Sequence, residues 1–149
     1  MRIFTILFII SLLFGFNSCK LCKKKEPLEN NETKEENISE IIVQKGYTKP
    51  ENSAVTDILK TSIEGNILTI EVSYSGGCNE HEFQLYFDGT YMKSLPPKVN
   101  FILTHDDKGD VCRSMVEKKL NFDISKAQYV GGKEMMVSVE GFEGIKYVY

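Results

Sequence analysis

The chain has 149 residues, 42% of them hydrophobic, which is enough for one packed domain and excludes a second of ordinary size. Eighteen basic residues stand against 21 acidic ones, a net charge of -3, and nothing in that balance points to nucleic acid. The aromatic residues are nine Phe and seven Tyr, with no Trp.

Residues 1–18 read as an export signal. Arg2 supplies a positive start, and Ile3 to Phe16 is a nearly unbroken apolar run of fourteen positions. A spanning helix needs roughly 20. The run ends in Phe16, Asn17, Ser18, Cys19, which resembles the lipobox of bacterial lipoproteins, where a lipid is attached to the cysteine thiol and the peptide is cut just before it. Ser18 fits the small residue of that pattern, whereas Phe16 stands where an aliphatic side chain is usual. The resemblance implies lipidation at Cys19 and a partner in the membrane. It places the protein in the cell envelope, at the outer membrane, facing the periplasm or the surface. An uncleaved anchor or an ordinary secretory signal are the plainer alternatives. Cys19 and Cys22 also form a C-x-x-C spacing, which reads as coincidence here, between an export signal and a polar segment.

Lys23, Lys24 and Lys25 follow, where each could gain about 1 kcal/mol from anionic headgroups. From Lys20 to Glu40, eleven of twenty-one residues are Lys or Glu. Such a stretch cannot bury enough surface to offset its ordering entropy, so residues 19–50 are expected to be a flexible charged linker and 51–149 the domain, with the boundary between Ile41 and Asn52. Ile41, Ile42 and Val43 could form a short first strand before Gly46 and Pro50 interrupt it.

Beyond Asn52 apolar and polar residues alternate with a period of two. Ile58 to Ile63 leads through Glu64, Gly65 and Asn66 into Ile67 to Tyr74, a hairpin signature, with Leu68, Ile70, Val72 and Tyr74 on one face. Phe83, Leu85 and Phe87 share the inward face of the next arm. A connection from Asp88 to Pro97 follows. Val99, Phe101, Leu103 and His105 then point inward, and Asp107, Lys108 and Gly109 make a tight turn. Cys112, Val116, Leu120 and Phe122 fall on one face of the following arm, with Lys118 as the exception. Met135 to Glu140 and Ile145 to Tyr149 are two late strands joined through Gly141 and Gly144, the last of which must pair, because an unpaired aromatic edge invites aggregation. About seven short strands with no helical period predict an all-β, antiparallel, immunoglobulin-like sandwich.

Both histidines lie near a cysteine, His81 after Cys78 and His105 before Cys112. If the arm starting at His81 pairs antiparallel with the arm ending at His105, the two histidines face each other and Asp88 faces Lys98. The turn after His105 brings Cys112 back beside it, so Cys78, His81, His105 and Cys112 gather at one end. Three readings compete there. In an oxidising compartment Cys78 and Cys112 form a disulfide, and the imidazoles bond to strand-end backbone or to Asp106 and Asp110; this is the preferred reading and needs no cofactor. Alternatively, two thiolates and two imidazoles supply a tetrahedral zinc site or a copper site. Calcium at Asp106, Asp107 and Asp110 lacks the ligand spacing of a calcium hand. An enzyme using either histidine as a general base is the least supported, because no nucleophile with a third orienting group stands beside one.

The runs Gly76 to Phe83 and His105 to Cys112, with Leu120 to Ile124 after them, resemble a pattern in exported bacterial proteins, NigD-like lipoproteins among them. The resemblance covers roughly residues 58–125. It implies a β-sandwich in the envelope and no defined activity; the extra N-terminal domain of the NigD-like layout is not apparent here. The expectation is a lipid-anchored, disulfide-stapled binding or structural module, not an enzyme, whose partner is an envelope protein or ligand. A metal-handling lipoprotein is the alternative.

Overall fold

A computed structural model of the chain describes residues 37–149. The expected export signal, Cys19, Cys22 and most of the expected linker lie outside them. Within them the protein is almost all β. Among the described residues nine strands form two facing sheets, and the one helical element there is a short 3-10 turn at Ser125–Ala127.

Alternation dictates the strands. In β4 (Ile67–Gly76) Leu68, Ile70, Val72 and Tyr74 are buried, as the period of two requires. β3 (Asp57–Glu64) pairs with β4 as the expected hairpin, turning through Gly65 and Asn66 with Gly65 at positive φ. The other side of β4 pairs antiparallel with β7 (Ser114–Asp123). In the facing sheet β5 (Glu82–Phe87) pairs antiparallel with β6 (Lys98–Asp106), and β8 (Glu134–Val139) with β9 (Ile145–Val148). Between the sheets lies one core, into which Leu85, Phe87, Val99, Phe101, Leu103, Leu120, Phe122, Met135, Val137, Val139 and Tyr147 project. The terminal strand is thus paired, and its Tyr147 is buried with its hydroxyl donating to Asn66 Oδ1.

Three expectations need correction. The sheets are mixed, because β6 and β8 run parallel, the chain having crossed to the other sheet as β7 between them. Parallel partners are joined by long crossovers and leave no turn signal in the sequence. Second, the sandwich takes in residues well before 51, and the short strand expected around Ile41 to Val43 is among them. β1 (Ile38–Glu40) adds to the edge of one sheet beside β7 and β2 (Ile42–Val43) to the edge of the other beside β5, both parallel. Only Ile41, where the chain passes from one sheet to the other, is buried, at 3% exposure. Its single anchoring side chain is masked by the Lys and Glu around it.

Third, the β5–β6 register differs by two residues from the expected one, with Phe83 opposite His105 and Phe87 opposite Phe101. The connection does not loop out freely. It folds back so that Met92 bridges Lys98, and Asp88 therefore no longer faces that lysine. A slip of two keeps every side chain on its face, so the inward set is as the pattern demands.

Candidate functional site

At one end of the sandwich β5 begins, β6 ends and β7 begins. The turn after β6 places Lys108 and Gly109 at positive φ, and the Asp110 amide donates back to the Asp107 carbonyl at 2.9 Å. That geometry aims the Asp110 carboxylate inward, where its side chain is wholly excluded from solvent. Its Oδ1 accepts from the amide of Cys112 at 2.8 Å. Oδ2 accepts from the amides of Cys78 and Asn79, both at 2.9 Å, and from His81 Nε2 at 3.1 Å. With the Asn79 and Cys112 amides foremost, these donors hold the carboxyl far below the usual carboxylate range.

His81 stands one residue ahead of β5 and turns its ring inward. Its Nδ1 lies 2.7 Å from His105 Nε2, and His105 Nδ1 lies 2.7 Å from Thr56 Oγ1. Both histidines are 3% exposed. Proton bookkeeping fixes the tautomers of the uncharged pair. Ionised Asp110 requires a proton on His81 Nε2, so His81 Nδ1 accepts from His105 Nε2–H, and His105 Nδ1 accepts from the Thr56 hydroxyl. Burial, and then the neighbouring His81, push the His105 pKa down. The ring of Phe83 stacks on His105 with centroids 4.4 Å apart, and Tyr74 contacts both imidazoles at 4.7 and 5.0 Å.

Gly76 is required by close approach. A Cβ there would sit 2.5 Å from His81 Cε1 and 2.7 Å from its Nε2. Gly76→Ala is expected to displace the His81 ring from Asp110 and to cost roughly 1–3 kcal/mol, checked as a lowered urea midpoint together with a changed His81 imidazole resonance. An unchanged resonance would show that the ring does not pack there.

Cys78 and Cys112 are joined as a disulfide with Cα atoms 5.8 Å apart. The four expected residues do gather at one end, through a register two residues from the one anticipated. The expected partner Asp110 is confirmed and Asp106 is not, since Asp106 turns outward to Lys108 at 2.8 Å. The carboxylate oxygens of Asp106 and Asp107 accept turn amides, those of Lys108 and Gly109. The fourfold Cys and His metal set is not assembled. The sulfurs are bonded to each other and offer no thiolate, and the imidazoles bond to one another. Cys78, Cys112 and Asp110 bring one ligand atom each within 4.8 Å, but the carboxylate already serves four donors.

Sequence reasoning missed Ser53 and Thr56. The amide of His105 donates to Ser53 Oγ at 3.1 Å, and the Ala54 amide donates to the His105 carbonyl at 2.9 Å. Nothing in the run Asn52 to Asp57 signals this, because the need arises from β8 stopping at Val139, opposite Phe101, which leaves the rest of β6 without a strand partner on that side. The outer face of the five-stranded sheet also carries two clefts, of about 650 Å³ beside Lys49, Lys98 and Asn100 and about 260 Å³ beside Tyr47, Gln84 and Tyr86.

The fold and its stapled end define a mixed-sheet β-sandwich closed by a disulfide over a buried Asp–His–His chain. No protein-family model and no curated protein matches the chain. Among solved structures, a NigD-like immunity protein from Bacteroides caccae is similar in fold, with a TM-score of 0.51 at 15% identity over 73% of this chain and 59% of that one. A toxin-related protein from Parabacteroides distasonis gives 0.46 at 17% over 73% and 61%, and a protein of unknown function from Bacteroides vulgatus 0.49 at 14% over 75% and 56%. This chain therefore spans about three fifths of the length of each. The NigD-like likeness read from the motifs is met by the first of these at the level of fold.

Proposed function

We propose that the protein is a lipid-anchored module of the cell envelope that works by binding, not by catalysis. The observation that carries this reading is the Cys78–Cys112 disulfide, since such bonds persist in oxidising compartments outside the cytosol. It agrees with an export signal over residues 1–18, just before Cys19. The non-catalytic part rests on the buried chain. Asp110, His81 and His105 are the obvious acid and base groups, and the side-chain hydrogen bonds of each are made inside the fold, which supports a structural role for them. The immunity designation of the Bacteroides caccae neighbour is in keeping with a binding task. For this chain the partner is an envelope protein or ligand, the membrane is engaged through the lipid, and no cofactor is needed.

Cell fractionation with labelled palmitate tests the anchor. Cys19→Ala is expected to abolish the label and move the protein from the membrane to the soluble fraction, with the disulfide intact. Membrane association that persists in the variant overturns lipid anchoring at this residue.

A further inference from the structure

The larger cleft, of about 650 Å³, lies on the outer face of the five-stranded sheet, over β6 and the end of β8. Alternation along β6 sets Lys98, Asn100 and Ile102 on that face while Val99, Phe101 and Leu103 enter the core. Met92, returned by two backbone bonds to Lys98, closes one side, and Lys49 from the β2–β3 connection joins the lining.

The polar groups of this cleft are matched to an anion. Lys98 is half-buried, yet its ammonium pairs with no carboxylate among the described residues. A lysine head drawn from water without a counter-charge is costly. Glu140, the one carboxylate of the lining, is already engaged, with its two oxygens 2.7 and 3.0 Å from Lys49 Nζ. Asn100 is oriented by its neighbours. Its Oδ1 accepts from the Gly141 amide at 3.1 Å and lies 3.0 Å from Ser138 Oγ, and a backbone amide can only donate, so that atom must be the oxygen. The NH2 end keeps both of its donors without a protein partner among the described residues. Lys98 and Asn100 stand two positions apart on one face, about 7 Å along the strand, within reach of a shared ligand.

We propose that this cleft binds a carboxylate attached to a short aliphatic group, one oxygen on Lys98 Nζ and the other on the Asn100 amide, with the aliphatic part against Met92 and Ile102. Charge selects the carboxylate. Lys49, Lys98 and Glu140 leave the lining with one net positive charge, which a carboxylate balances, whereas a phosphate monoester brings about -1.5 to -2 next to Glu140. A free aliphatic acid and the C-terminus of a protein chain ending in an aliphatic residue share this chemistry. The inference rests on the binding-module reading and names the ligand class of its surface.

Amide resonances of the oxidised full chain, followed at constant ionic strength, test the site. The probes are butyrate, a short acetylated peptide ending in a free valine carboxylate, the same peptide as its C-terminal amide, and inorganic phosphate. Both carboxylates are expected to shift the Asn100 side-chain amide and the Gly141 backbone amide saturably, the tighter with a Kd of about 1 mM or below, and the amidated peptide should leave them unmoved. Binding of the acid peptide about ten-fold tighter than butyrate assigns the site to a protein terminus, and near-equal binding assigns it to a free acid. Absence of saturation by either carboxylate, an equal response to the amidated peptide, or tighter binding of phosphate overturns the proposal. Asn100→Asp keeps an acceptor for Gly141 and Ser138 but exchanges the donors for a negative charge, so the Gly141 response should vanish while the urea midpoint holds. Lys98→Gln should weaken binding about ten-fold. Wild-type affinity in either variant also overturns the assignment. Failure here leaves the membrane anchor and binding at another face standing, whereas loss of the anchor leaves these titrations unchanged.

Discussion

Replacing Cys78 and Cys112 together by alanine is expected to remove about 4 kcal/mol of stability, roughly a quarter or more of the ~5–15 kcal/mol a domain ordinarily possesses. The bond spans 34 positions, and the chain-entropy argument assigns its effect to the unfolded state, which regains the freedom of that loop. The native corner changes little, because Cα atoms 5.8 Å apart need no backbone movement to be bridged or released. Urea unfolding of the double variant should show a lowered midpoint and a somewhat steeper slope as the unfolded chain expands. Non-reducing intact mass of the wild type should be lighter than the reduced form by two hydrogens. A midpoint that hardly moves would mean that Asp110, bonded to the amides of both cysteines, holds the corner alone.

His105→Ala is expected to cost roughly 3 kcal/mol near neutral pH, from the cavity left beneath Phe83 and Tyr74 and from the unpaired His81 Nδ1 and Thr56 hydroxyl. The variant should also lose part of the acid sensitivity. In the wild type the folded His105 pKa lies below its unfolded value of about 6.5, so above that pH both states are neutral and the group has no effect. Below it the unfolded chain binds the proton first, and stability falls with pH until the folded group titrates as well. Asp110 acts lower. Its depressed pKa gives stability that is complete above the unfolded value of about 3.9 and is lost as pH falls below it. Urea midpoints across this range should therefore decline in two stages for the wild type, and the earlier stage should shrink in the variant. Parallel profiles would remove His105 from the account.

Faces and turns were legible in the sequence because each is written in adjacent residues. Leu68, Ile70, Val72 and Tyr74 declare their face by alternation, and Gly65 with Asn66 declares the hairpin. Register along β5 and β6 was not, since a shift of two leaves the alternating pattern unchanged and only the return of Met92 to Lys98 decides it. The four-residue end cluster was legible because two hairpin-like turns lead into it. Thr56 and Ser53 were illegible for the opposite reason, as their role depends on where a distant strand, β8, happens to stop. Ser39 and Glu40 are exposed like linker residues, although their backbones pair with β7.

The passage of the chain through Ile41 has a mechanical side. Because the residues on either side of it are knitted into opposite sheets and run parallel to their neighbours, a pull on Asn37 directed along the strands loads β1 and, through Ile41, β2 lengthwise. Their ladder bonds must then slide in shear together rather than unzip singly. A pull from that direction is shared by both halves of the sandwich before either can peel away.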